Sequence, residues 1–182
     1  DVTGVSGATR TYRGVPAANQ AAGDLHLLTV SAVPSLTQTT QIRNVTTAFK
    51  DAVDRTITLG PALSAPTVTA LPATGYGRAR AVITVQTEYN RFFSFDIEQS
   101  GTASRSVNIQ QTSGYASGST VTLDVPDLSG VAGLDVNWGL KVGTAATWTI
   151  SASGWSGAGI VNAAFVDGAT YFAATREGSV TP

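Results

Sequence analysis

Leu140-Lys141-Val142-Gly143-Thr144, followed without a break by Ala145-Ala146-Thr147-Trp148-Thr149-Ile150-Ser151-Ala152-Ser153, decides how the rest of the chain reads. The first five residues predict a tight turn, because Gly143 is free to take a positive φ. From Thr147 onward the residues alternate. Trp148, Ile150 and Ala152 fall on one side; Thr147, Thr149 and Ser151 fall on the other. A period of two with one apolar parity predicts a half-buried β-strand.

The same pattern recurs in both directions. Upstream, Ser119–Val125 places Val121, Leu123 and Val125 on one parity. Arg91–Glu98 places Phe93, Phe95 and Ile97 against Ser94, Asp96 and Glu98. Strands are also expected at Thr67–Leu71, Arg78–Gln86, Ser104–Thr112 and, downstream, Ala169–Thr175. Pro126 to Trp138 reads as a crossing loop, and Gly154 to Gly159 as a Gly/Ser/Trp loop. Before the Gly60-Pro61 break, strands are expected at Thr9–Val15, Asp24–Val33, Gln41–Lys50 and Arg55–Leu59, with a helical turn around Ala17–Ala22 ended by Gly23. The break divides the chain into a small β module at 1–61 and a larger one at 62–182. The larger holds about seven short strands in roughly a hundred residues, the count of a β-sandwich. The smaller looks incomplete. Its apolar faces and strand edges need cover, either from the larger module or from a neighbouring chain.

Composition narrows the function classes. The 182 residues have a formal net charge of −1, and only 13% are charged. The eleven Lys and Arg are scattered, so no basic face for nucleic acid is expected. Cys is absent, which removes disulfides, thiolate chemistry and Cys-based metal sites. Met is absent too, even at position 1, which raises the expectation of a processed amino terminus and a removed secretory signal. No apolar run reaches the ~18 residues of a membrane span. Abundant Ser, Thr and Val suit a polar-faced β protein rather than a helical one.

The Leu140–Ser153 stretch resembles the passage in a fibronectin type III module in which a Leu and a Pro-Gly-Thr turn lead into a strand headed by an aromatic corner residue. Val142 stands where the Pro is usual, and Trp148 where the Tyr is. The resemblance is to bacterial extracellular fibronectin type III or immunoglobulin-like β-sandwich proteins. It implies an all-β sandwich fold; fold alone implies no activity.

Candidate chemistry is sparse. His26 is the only histidine. Asp24 could orient it as a base, but no positioned nucleophile or GxSxG elbow accompanies it, so an exposed or edge histidine is expected. Asp96 and Glu98 share one strand face, as a solvated pair would, whereas glycosidase carboxylates flank a cleft. Asp124, Asp127 and Asp135 offer oxygen ligands for Ca²⁺ near the crossing loop, without EF-hand spacing. Trp148 is expected in the core. Trp155, in its Gly/Ser loop, and Trp138, near the end of the core, are the candidate platform for stacking a glycan. Asn44-Val45-Thr46 is the only Asn-x-Thr sequon, a glycosylation acceptor in a cell that modifies secreted proteins. No catalytic residue and no cofactor is assigned. The expectation is a non-catalytic, secreted or cell-surface structural protein that assembles with itself into a filament or layer. The rival expectation is a glycan-binding or adhesive module.

Overall fold

The structure, a computed structural model, describes residues 9, 11–33, 41–73, 75–115, 118–156, 160–161 and 164–182. The alternating stretches form strands β1 (His26–Ala32), β2 (Gln41–Phe49), β3 (Thr67–Leu71), β4 (Arg78–Thr84), β5 (Phe92–Gln99), β6 (Arg105–Thr112), β7 (Thr120–Asp124), β8 (Ala146–Ser156), β9 (Ile160–Val161), β10 (Ala164–Phe165) and β11 (Thr170–Val180). The protein is all-β. A six-stranded sheet runs β1-β2-β11-β8-β5-β6, a three-stranded sheet runs β3-β4-β7, and β9 and β10 form a small hairpin. Every strand pair is antiparallel.

The period-two patterns explain the sandwich. Ala79, Ala81 and Ile83 of β4, with Val121 and Leu123 of β7, face Phe93, Phe95 and Ile97 of β5 and Ile150 and Ala152 of β8; all are buried in one cluster. Each large apolar side chain buried here contributes roughly 1.5–3 kcal/mol of transfer free energy. Alanine on β4 opposite phenylalanine on β5 lets the two layers approach closely, a small-against-large fit.

The turn at Leu140–Thr144 forms as expected, with Gly143 at φ 71°. It is pinned from three sides. The Gly143 N–H donates to the Pro182 carbonyl at 2.6 Å, and the Gly77 N–H donates to that of Leu140 at 2.6 Å. Gln99, only 3% exposed, donates through Nε2 to the carbonyls of Lys141 (2.9 Å) and Thr144 (2.8 Å), and its Oε1 accepts from the Lys141 N–H (2.6 Å).

The hairpin of the first sixty residues extends the long sheet. β2 pairs with β11 over seven positions, from Thr47↔Thr170 to Gln41↔Arg176. Of the two ways to cover that hairpin, pairing within the chain is the one found for β2. Among the described residues β1 pairs with β2 alone and is an edge of the sheet. The hairpin lies beyond the short sheet, and the segment from Arg55 to Gly60 runs beside it. Arg55 stacks over the Phe49 ring at 4.3 Å from its centroid, and Arg43 donates to the Gly60 carbonyl at 3.0 Å.

Several expectations are corrected. Arg55–Leu59 alternates but joins no ladder, and the described part of Thr9–Val15 carries no strand. The helical turn is confined to a 3₁₀ turn at Ala17–Asn19. β8 does not stop at Ala152: it runs through Gly154 and Trp155 to Ser156. Gly154 is inside the strand as the ladder partner of Phe172, and it is a glycine because the turn before β5 packs against its backbone. A Cβ there would stand 3.1 Å from the Asn90 nitrogen.

Candidate functional site

Trp155 is therefore a strand residue, not a loop residue. It lies on the face of β8 turned away from the short sheet, on the parity of Ser151 and Ser153. Its direct partner on β11 is Tyr171. Tyr171 in turn meets the Phe165 ring edge-on, with centroids 6.5 Å apart. The Arg91 guanidinium sits 5.6 Å from the Trp155 ring centroid, within cation–π range. Trp155, Tyr171 and Phe165 are all half-buried. Sequence reasoning found Trp155 but not its companions, since a strand register sixteen residues apart brings Tyr171 beside it.

Trp138 does not join this group. It closes a short 3₁₀ turn, Val136–Trp138, and is 70% exposed, so it does not cover the core. Arg105, at the start of β6, donates to the adjacent Asn137 carbonyl at 3.0 Å, which fixes that turn near the Ala146 end of β8. Nine residue steps of β8 then separate Ala146 from Trp155, roughly 30 Å at the rise of a β-strand. The two tryptophans cannot form one platform. Trp148 packs against the core as expected, though its buried Nε1 has no hydrogen-bond partner among the described residues.

His26 is buried, at 8% exposure, not exposed as expected, although it does begin an edge strand. Its Nδ1 hydrogen-bonds the Tyr12 hydroxyl, and its Nε2 lies 3.3 Å from Gln20 Nε2. Its ring leans on Phe49, 5.5 Å between centroids. Asp24 does not orient it: Asp24 Oδ2 instead accepts from the Ala21 N–H at 2.8 Å. The cluster of Tyr12, Gln20, His26 and Phe49 ties the segment before β1 to the hairpin.

The carboxylates are engaged separately. Asp124 takes a two-pronged contact from Arg80 across β4 and β7, at 2.7 and 2.6 Å. That hydrogen bond is the main reason its carboxyl is held below the usual carboxylate range. Asp127 accepts from Ser129 and lies 3.7 Å from Arg78. Asp135 caps the Trp138 turn by accepting from the Asn137 N–H at 2.9 Å. Among the described residues no group of three or more His, Cys, Asp or Glu is placed to hold a metal ion. Asp96 accepts from Asn108 and Ser94 on the outer face, while Glu98 on the same strand is exposed. Asn44 is half-buried at the middle of β2, opposite Ser31 on one side and Ala173 on the other.

The two lateral edges of the long sheet remain. β1, His-Leu-Leu-Thr-Val-Ser-Ala, contains no Asp, Glu, Lys, Arg or Pro, and Leu27 on it is 55% exposed. β6, Arg-Ser-Val-Asn-Ile-Gln-Gln-Thr, carries one formal charge, Arg105 at its first residue. Beside β6 the sandwich opens into a groove of about 510 Å³ lined in part by Ile109, Tyr115, Thr122 and Leu123. No helix among the described residues is long and apolar enough to cross a membrane. Comparison with protein-family models, with curated proteins and with solved structures finds no match for this chain.

Proposed function

We propose that this chain is a non-catalytic, extracellular or cell-surface structural protein that assembles with copies of itself through its sheet edges. The observation that carries this reading is the character of β1 and β6. Long strands at a sheet edge are templates for another strand, and proteins that remain single blunt them with Lys, Pro, bulges or brevity. β1 and β6 have seven and eight residues and almost no charge, whereas the short sheet ends in strands of five. The Ser- and Thr-rich exterior and low net charge favour association further, since little electrostatic repulsion opposes it.

The strand partition supports the immunoglobulin-like and fibronectin-like resemblance. Counting the long strands from β3, the first, second and fifth form one sheet; the third, sixth and last are neighbours in the other. Immunoglobulin-like sandwiches divide their strands this way. Here the fourth, β6, hangs on the third, and the β1–β2 hairpin widens the sheet on the far side. The test is the mass of the native particle by light scattering, with negative-stain images of the same sample. Large regular particles are expected. A clean monomer near 18.6 kDa at high concentration overturns the reading.

One observation favours a second reading, a glycan-binding module. Trp155 and Tyr171 are direct cross-strand partners with Arg91 against the indole, an apolar surface flanked by a hydrogen-bond donor. Affinity electrophoresis against a polysaccharide panel tests it. Retardation lost in Trp155→Ala and kept in Trp138→Ala supports it, and no retardation on any polysaccharide removes it.

A further inference from the structure

The self-assembly reading leaves open which surfaces meet, and the sheet itself supplies the constraint. The long sheet has six strands, all antiparallel to their neighbours. In a sheet with an even number of alternating strands, the two edge strands run in opposite directions. A second copy set beside the first and turned by the accumulated twist of the six strands would bring its β1 beside β6 of the first, and the two would run antiparallel. The alternation would continue across the boundary unbroken.

The faces agree as well. On β1 the half-buried residues Leu28, Val30 and Ala32 share the core-facing parity of Val45 and Phe49, while Leu27, Thr29 and Ser31 are exposed on the other side. On β6, Val107, Ile109 and Gln111 are half-buried on the parity of Phe93, Phe95 and Ile97; Ser106, Asn108 and Gln110 are exposed. That placement keeps core side against core side. Leu28 and Val30 would then enter the open groove beside Ile109 and Leu123, and Thr29 would lie in the row of Ser106, Asn108 and Gln110. Apolar meets apolar, polar meets polar, and no carboxylate or lysine of either strand lies in the seam.

We infer that β1 of one copy adds to β6 of the next, making a head-to-tail, open-ended contact rather than a two-fold dimer. Because the two surfaces differ, each added copy leaves a free β1 and a free β6, so the contact propagates. This inference rests on the self-assembly reading and names its interface.

Absence of Cys from the chain makes disulfide trapping clean. Thr29→Cys would be combined in one chain with Ser106→Cys, Asn108→Cys or Gln110→Cys, sampling three antiparallel registers. Particle mass is measured before oxidation. Assembled double variants are expected to give a ladder of dimers, trimers and longer species on a denaturing non-reducing gel, for one register above the others. The single variants stay monomeric, and an equimolar mixture of two singles of that register stops at dimers. Large particles without a ladder in any register overturn the β1–β6 contact and leave self-assembly standing. A dimer from Thr29→Cys alone overturns it in favour of a two-fold β1–β1 contact. Monomers throughout, with native circular dichroism and a wild-type monomer alongside, overturn both.

Discussion

The indole of Trp148 lies across Gly178: a Cβ added to Gly178 would stand 2.7 Å from Cε2 of the ring. The two residues are direct partners on β8 and β11. Glycine inside an eleven-residue strand costs backbone entropy, and here its bare backbone makes room for one of the two tryptophans of the strand beside it. Gly178→Ala therefore overpacks one end of the core. Thermal unfolding is expected to show a loss of about 1–3 kcal/mol, with the Trp148 contribution to near-ultraviolet circular dichroism altered. Unchanged stability would mean that the indole turns away freely.

Gln99 is the second place where one side chain holds a distant segment. Its amide makes three hydrogen bonds to Lys141 and Thr144, doing for the turn what a neighbouring strand would do. Gln99→Leu keeps the volume but strands these backbone groups in a site with little water. A loss of about 2–4 kcal/mol is expected. At roughly 2–4 °C per kcal/mol for a chain of this size, the melting temperature falls by several degrees. Amide exchange at Lys141 rises more than at Ile150; equal rises at both would place the effect elsewhere.

The strands were readable because each buries one parity. Phe93-Ser94-Phe95-Asp96-Ile97 can hide its apolar side in only one register. What escaped the sequence was set by contacts between distant segments. Gly154 and Ser156 look like loop residues, yet the Gly is there to admit the backbone of the turn before β5. Arg55–Leu59 alternates like a strand, but alternation reports an extended chain beside a core and not a ladder partner. The burial of His26 depends on Tyr12 and Gln20 folding back over it. Trp155 was legible as a residue of interest; Tyr171 and Arg91 beside it were not, because only the β8–β11 register and the turn before β5 bring them together.

The Arg80–Asp124 pair gives stability a pH dependence of known sign. Its hydrogen bond lowers the folded-state pKa of Asp124 below the unfolded value. Such a group stabilises the fold above its unfolded pKa, and that contribution is lost as pH falls through the lowered folded value. Asp124→Asn is expected to melt below the wild type near neutral pH, with the gap closing in acid as the wild-type carboxyl is protonated. The pair is exposed, so the gap is smaller than that for Gly178→Ala and shrinks further in high salt. A gap that persists at low pH would mean that shape, not charge, is what the Asn disturbs.

The edge strands predict a charge-swap experiment that leaves the folded monomer intact. Thr29 and Gln110 are both exposed on the outer face, and Gln110 faces the neutral Ser94 on β5, so lysine at either is accommodated by solvent. Thr29→Lys combined with Gln110→Lys places like charges across a β1–β6 seam, where direct cross-strand opposition is destabilising. Particle mass at fixed concentration is expected to fall toward the monomer in the double lysine variant. Gln110→Asp with Thr29→Lys is expected to restore assembly. Melting temperature, measured on dilute samples, should distinguish the two variants little, since within one chain the sites lie at opposite edges of a six-stranded sheet. Restoration that fades as salt rises past the Debye regime would identify the effect as electrostatic. If both variants assemble as the wild type does, and Ser106→Lys in place of Gln110→Lys also leaves assembly unchanged, the seam does not run along these strands and the β1–β6 contact is wrong.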